Sequence, residues 1–272
     1  MKIAILSDIH GNIFALKKCI EYINKRNIDT IIFCGDYISD IPRSHEVITY
    51  LKELNNKYKC YFVKGNREDY IIDYLNSNEK NWSMDNRHGS MLCVLNELDK
   101  YDIDFIKELP DSLDININGL LPIYVSHKRI DKIKGYKYII YGHTHIPEYY
   151  NNQGIYYINP GSVGLGLSNG FCTEFAILSI DNDYTNVELI NIKYDTEEVI
   201  NSIKNSNLSK TITRWDQIII KTIEQGIDYS DLYIKKVLDK SKTLGINNLD
   251  DVPISIWDDI RKELILSKKI GS

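Results

Sequence analysis

Residues 1–36 read MKIAILSDIHGNIFALKKCIEYINKRNIDTIIFCGD. Two short apolar runs, Ile3–Leu6 and Thr30–Cys34, flank a stretch from Ile13 to Asn24 whose apolar side chains recur at helical spacing. Strand, amphipathic helix and strand in that order predict a parallel pair joined by a right-handed crossover. Each run ends in ligand chemistry, Asp8 and His10 after the first and Asp36 after the second. Ligands of open parallel sheets bind outside the carboxyl ends of the strands, so this stretch indicates both the fold and where its chemistry lies.

Working outward, Ser44–Asn56 is a second helical pattern and Cys60–Val63 a third strand, which extends the parallel sheet. Glu68–Pro110 reads as mainly helical, with Trp82–Ser90 a loop and Asn96–Leu109 one helix stopped by Pro110. Residues 112–195 read mostly as strands: DININ, LPIYVSH, YKYIIYGH, a hairpin in YYNNQGIYYIN, EFAILSI and NVELINIKY. Leu121–Val125 and Tyr138–Tyr141 are the fourth and fifth central runs. The fold class is therefore α/β, with two sheets packed face to face and helices outside. Beyond Thr196 the pattern is helical again, over Glu197–Ser206, Trp215–Glu224, Ser230–Leu244 and Ser255–Lys268, with 201–210 as a linker. We expect a domain over 1–200 and a helical extension over 210–272. The extension packs on the core or makes the contact of a homo-oligomer; a lid is the third reading.

The 272 residues are 43% hydrophobic and 26% charged, as in an ordinary soluble domain. The net charge of −5 supplies no basic field for long nucleic acid, which would need a local basic patch. Cys19, Cys34, Cys60, Cys93 and Cys172 form no CxxC pair and mostly sit in apolar runs, so burial as free thiols is expected. No apolar run approaches a membrane span, and MKIAILSD lacks a signal-peptide layout; the expected location is cytoplasmic.

Read to their ends, the five central runs give Asp8 and His10, Asp36, Asn66, His127, and His143 with His145. Gly11, Gly35, Gly65 and Gly142 adjoin them, letting the backbone turn sharply beside a small ion. Within YGHTH, 141–145, an extended segment points the i and i+2 imidazoles the same way. Seven oxygen and nitrogen ligands without cysteine exceed one tetrahedral zinc and suit two divalent ions sharing a carboxylate. Imidazole with carboxylate selects Mn, Fe, Ni or Zn over Mg or Ca. Two such ions about 3.5–4 Å apart lower the pKa of a bridging water and clamp an in-line displacement, which is the chemistry of phosphoester hydrolysis.

Asp8-x-His10, Gly35-Asp36, Gly65-Asn66, His127 and Gly142-His143-Thr144-His145 resemble, in order and spacing, the five-part motif of the calcineurin-like metallophosphoesterases over residues 1 to about 165. The opening SDIHGN is similar to bacterial members that include small phosphodiesterases and dinucleoside tetraphosphatases. The resemblance implies a two-sheet αββα sandwich. It also assigns Asp8, His10 and His145 to one metal, Asn66, His127 and His143 to the other, and Asp36 to the bridge. It implies a metal-dependent phosphodiesterase or nucleotide phosphatase that uses a metal-bridging hydroxide. A nuclease of the same superfamily and a non-catalytic scaffold are the alternatives.

Three departures from the family pattern bear on mechanism. Arg67 stands where many relatives carry a histidine that protonates the leaving group; it can bind phosphoryl oxygens but cannot deliver a proton, which leaves His88 as the acid to consider. Ser39 replaces the aspartate of the superfamily's protein phosphatases, which puts that activity in doubt. Lys128 and Arg129 after His127 either face solvent or greet a substrate phosphate. PGSVG, 160–164, is expected to support the site as a tight turn, and His45, on a helix, is expected to stay outside it.

Overall fold

In the computed structural model the described residues are 1–78, 80–116, 122–131, 133–181 and 184–266. β1 (Lys2–Leu6), α1 (Ile13–Ile23), β2 (Thr30–Phe33), α2 (Ser44–Lys57) and β3 (Lys59–Phe62) alternate as the sequence requires. Both strand pairs are parallel, with Ile3 opposite Thr30 and Thr30 opposite Lys59. Asn12 caps α1, its side-chain oxygen accepting the Ala15 N–H at 3.0 Å.

Three helices follow, α3 (Asn66–Asn76), α4 (Gly89–Glu97) and α5 (Lys100–Glu108). The single helix expected over Asn96–Leu109 is thus two. Asp99 accepts the Asp102 N–H at 2.9 Å while the Asp102 carboxylate accepts the Asp99 N–H at 3.1 Å, a reciprocal cap that starts a new helix.

The second sheet comprises β4 (Ser112–Ile115), β5 (Ile123–Ser126), β6 (Tyr138–Ile140), β7 (Glu148–Asn152) and β8 (Ile155–Asn159), in the order β4-β5-β6-β8-β7. Leu121, expected to begin the fourth central run, lies outside the described residues. β9 (Cys172–Asp181) and β10 (Tyr184–Lys193) return to the first sheet, giving β10-β9-β1-β2-β3. The period of two along the strands sorts the layers. Ile3 and Ile5 of β1 meet Val125, Tyr138 and Ile140 between the sheets, whereas Ala4 and Leu6 face α1 to α5 on the other side. Both sheets are mixed, and the architecture is the expected two-sheet α/β sandwich.

Beyond β10 come α6 (Glu197–Lys204), α7 (Trp215–Gln225), α8 (Tyr229–Thr243) and α9 (Ile254–Leu266), and α6 packs with the helices of the extension although it precedes residue 210; Ser267 and Lys268, expected to end the last helix, lie outside the described residues. Segment 201–210 is not an open linker. Ile203 and Leu208 are buried in the extension's apolar cluster, which reaches the sandwich through Ile41 and Leu165. No described helix is long and apolar enough to cross a membrane. The five cysteines are free thiols; Cys19, Cys34 and Cys172 are buried, and Cys60 and Cys93 are partly so.

Candidate metal centre

All seven ligand-type residues come together where both sheets present their strand ends. Five of them, Asp8, His10, Asp36, His143 and His145, adopt positive φ between 51° and 71°. Side chains rarely adopt that left-handed backbone, and its clustering marks a functional site. Close approach is required of the glycines here. A Cβ on Gly65 would collide with Asp36, and one on Gly142 would collide with Ser7 and Asp8.

Asp8 is fully buried, and its two oxygens are treated differently. Oδ2 accepts the Ser7 hydroxyl at 2.5 Å and the His143 N–H at 3.0 Å. Oδ1 has no hydrogen-bond partner, and it lies 3.3 Å from His145 Nε2 and 3.8 Å from His10 Nε2. The two imidazole nitrogens are themselves 3.0 Å apart. Asp36 Oδ1 accepts the Arg67 N–H at 2.8 Å, while Oδ2 lies 3.9 Å from His10 Nε2 on one side and 3.5 Å from His127 Nε2 on the other. His127 donates from Nδ1 to the Cys34 carbonyl at 2.7 Å, which leaves the Nε2 lone pair facing Asn66 Oδ1 at 3.0 Å and His143 Nδ1 at 3.2 Å.

This donor set fits divalent cations. A buried carboxylate oxygen without a donor is costly, and neutral His127, with its proton on Nδ1, faces Asn66 Oδ1 acceptor to acceptor at 3.0 Å, a contact that repels unless positive charge lies between the two atoms. Atoms bonded at about 2.1 Å to one ion and at right angles lie about 3.0 Å apart, the spacing seen here. Asp8, His10 and His145 form one cluster and Asp8, Asp36 and His127 a second.

Burial disfavours charge on both His127 and His145. The carboxylates of Asp36 and Asp8 outweigh it for His127, as Asp8 does for His145, so both pKa values stand above the ordinary one. Burial and the neighbouring His127 lower that of His143. Burial would also raise the Asp8 carboxyl, but His145 and the other imidazoles hold it well below the usual carboxylate range.

Two supports carry no motif that drew attention in the sequence. Glu68 is fully buried and accepts four backbone N–H groups, from Gly65 at 2.7 Å, Asp36 and Tyr37 at 2.9 Å and Ile38 at 3.3 Å, which locks the β2 and β3 loops together. Asp40, also buried, meets His10, Arg67 and Trp215. The only signal for either is an acid beside a motif, which exposed carboxylates share. PGSVG is the expected support: the Val163 and Gly164 N–H groups donate to the Ser7 and Asp8 carbonyls, both at 2.9 Å.

Arg67, Asn66 and His143 open onto a cavity of about 840 Å³ between α3 and α8. His88 lines this cavity away from the ligand clusters, with Nε2 3.2 Å from Asp250 Oδ1 and its ring stacked on Trp82. Arg129 lies over the rings of Tyr141, Tyr150 and Tyr157 and pairs with Asp131, which settles it as a partner of that aromatic face. His45 pairs with Asp102 at 2.6 Å, outside the site.

A family model described as "Calcineurin-like phosphoesterase superfamily domain" matches residues 1–183. The uncharacterized protein MJ0912 of Methanocaldococcus jannaschii is 25% identical over an alignment of 238 positions that covers 76% of this chain and 93% of that protein. Phosphodiesterase MJ0936 of the same organism is 27% identical over an alignment of 168 positions that covers 59% of this chain and 83% of that protein. The crystal structure of hypothetical protein PH1004 from Pyrococcus horikoshii OT3 superposes with a TM-score of 0.67 at 19% identity, covering 83% of this chain and 98% of that one. The shared architecture therefore continues past residue 183 into the extension.

Proposed function

The chain belongs to the calcineurin-like phosphoesterase superfamily and is a phosphoester hydrolase, and from that premise we propose that it uses two divalent cations to hydrolyse small phosphate esters, either phosphodiesters or nucleotides. The observation that carries this reading is the pair of Asp36 oxygens: one is fixed by the Arg67 N–H, while the other stands between His10 and His127, the position of a bridging ligand. Asp8, His10 and His145 would hold one ion, Asn66, His127 and His143 the other, and Asp36 both. Bound Mn, Fe, Ni or Zn would supply Lewis-acid activation of water and of the phosphoryl group.

The chain's own residues then position and neutralise. The Arg67 guanidinium, directed by Asp40 at 3.2 Å, faces the cavity beside Asn66, where it binds the equatorial phosphoryl oxygens and offsets their growing charge. Arginine holds its proton throughout, so the leaving group takes its proton elsewhere or departs without one. His88 in the same cavity is the donor we propose. The organic part of the ester lies against Tyr70, Tyr74, Trp82 and Trp257, in a space within the usual size range of small-molecule sites. Asp73, Asp228 and Asp231 on its wall disfavour a second phosphate or a nucleic acid strand.

The test is turnover of bis(p-nitrophenyl) phosphate by chelator-stripped protein before and after Mn²⁺ is restored. We expect hydrolysis only in the restored sample. No turnover of this or any other phosphoester by fully loaded protein would overturn the reading.

A further inference from the structure

We infer that Asp40 is a positioning residue of the metal centre and that Trp215 of the helical extension holds it, so that the extension is a working part of the site. The inference rests on the metal-centre reading above and adds to it the residues that fix the geometry of one half.

Asp40 lies four residues beyond Asp36 in the loop after β2, at 4% exposure and with φ of 38°. A buried carboxylate needs donors for its lone pairs, and Asp40 draws them from three separate parts of the chain. Oδ1 accepts the indole N–H of Trp215 at 2.8 Å. Oδ2 forms an ion pair with the Arg67 guanidinium at 3.2 Å and lies 3.1 Å from His10 Nδ1. Among the described residues His10 Nδ1 has no hydrogen-bond partner, and Asp40 Oδ2 at 3.1 Å is the carboxylate oxygen in ion-pair range of it, so Asp40 is the group placed to hold its proton.

That arrangement has two consequences for the centre. A proton kept on Nδ1 leaves the lone pair of His10 on Nε2, the atom 3.0 Å from His145 Nε2 and 3.8 Å from Asp8 Oδ1. A carboxylate behind a ligand histidine fixes its tautomer and ring orientation and raises its basicity. The same oxygen anchors the guanidinium that faces the cavity. Asp40 thus acts through His10 on metal binding and through Arg67 on substrate binding.

Trp215 is built to hold that position. It is 8% exposed, packs in one cluster with Ile41, and lies 5.7 Å ring to ring from Tyr233. Arg214 before it adopts φ of 47° and pairs with Asp216 at 3.2 Å, which sets the entry of α7 and aims the indole at the sandwich.

The test is titration of Mn²⁺ into chelator-stripped protein by calorimetry, alongside kcat and KM for bis(p-nitrophenyl) phosphate. For Asp40→Asn we expect about 10- to 100-fold weaker binding in one of two Mn²⁺ steps, the scale for loss of a partner behind a ligand, with the other step unchanged and KM raised. Trp215→Phe keeps the ring in its cluster and removes only the N–H, and should weaken the same step by a smaller factor. Val237→Ala loosens the extension's core without touching the chain of contacts and should lower Tm while leaving both steps alone. Wild-type binding in both Asp40→Asn and Trp215→Phe overturns the inference, as does equal weakening of both steps in all three variants, the mark of general destabilisation. If Asp40→Asn does not fold, Trp215→Phe decides. Absence of Mn²⁺ binding by the unmodified protein would instead remove the metal-centre reading, and this inference with it.

Discussion

Gly65→Ala isolates the contribution of close approach. Gly65 has φ of −108°, which alanine adopts freely, so the substitution costs nothing in backbone conformation. Its Cβ would overlap Asp36 Oδ1 and the Asp36 backbone nitrogen and lie 2.9 Å from Asp36 Cγ. Rotation of the Asp36 carboxylate relieves only the side-chain overlap; the overlap with the Asp36 nitrogen requires the two loops to part, against Glu68 Oε2, which accepts both the Asp36 N–H at 2.9 Å and the Gly65 N–H at 2.7 Å. Either movement takes the Asp36 carboxylate from the Arg67 N–H and from the space between His10 and His127. Restoring contact distance needs a shift on the order of 1 Å, and a displacement of that size costs roughly 10²-fold in rate. Overpacking of about 1–3 kcal/mol would lower Tm by roughly 2–12 °C at about 2–4 °C per kcal/mol. The assay is Mn²⁺-dependent hydrolysis of bis(p-nitrophenyl) phosphate well below the variant's Tm. Gly135→Ala is the control: at φ of 90° it carries backbone strain, but nothing lies within 4 Å of its Cβ, so turnover should not change. A Gly65→Ala protein within about threefold of wild-type turnover would refute the argument that Asp36 must stand where it does.

Three further outcomes follow from the same geometry. Asp36→Asn keeps the shape and removes the shared charge, so turnover under full Mn²⁺ loading should fall below detection; a substantial remaining rate would contradict the bridging role. In the metal-free chain the raised pKa values of His127 and His145 mean that protons stay bound to higher pH than on free histidine, and metal must displace them. Mn²⁺ affinity should therefore fall by about tenfold per pH unit for each displaced proton below those values, and affinity held constant from pH 8 to pH 5.5 would show that the imidazoles are not ligands. His88→Ala should slow an alkyl phosphodiester by about 10²-fold and spare a p-nitrophenyl ester, whose leaving group needs no proton. Equal rates for both esters in the variant and the wild type would remove His88 as the acid.

The sandwich was legible because its strands follow simple rules. Ile3-Ala4-Ile5-Leu6 and Thr30–Phe33 are short runs buried on both faces, and Gly11, Gly35, Gly65 and Gly142 punctuate the chain at four of the five central strand ends. The clustering of the seven side chains was legible in halves: Asp8, His10, Asp36 and Asn66 follow neighbouring parallel strands of one sheet and His127, His143 and His145 follow neighbouring parallel strands of the other, whereas the meeting of the two halves depends on how the sheets pack. Helix boundaries were less so. Asp99 and Asp102 have cap spacing, yet the continuing apolar pattern from Asn96 to Leu109 hid the break. What the sequence withheld depends on contacts between distant segments. Trp215 reaches Asp40 across 175 positions, and Tyr74 meets Asp228 and Ile234 only as opposite walls of one cavity. Periodicity says which face of α7 or α8 is apolar; it does not say which part of the sandwich that face will meet.

The most direct measurement is an anomalous-diffraction experiment on crystals grown with Mn²⁺. The account predicts two peaks about 3.5–4 Å apart, with Asp36 within bonding distance of both, Asp8, His10 and His145 around one, and Asn66, His127 and His143 around the other. A single peak, or a pair that Asp36 does not join, would contradict it.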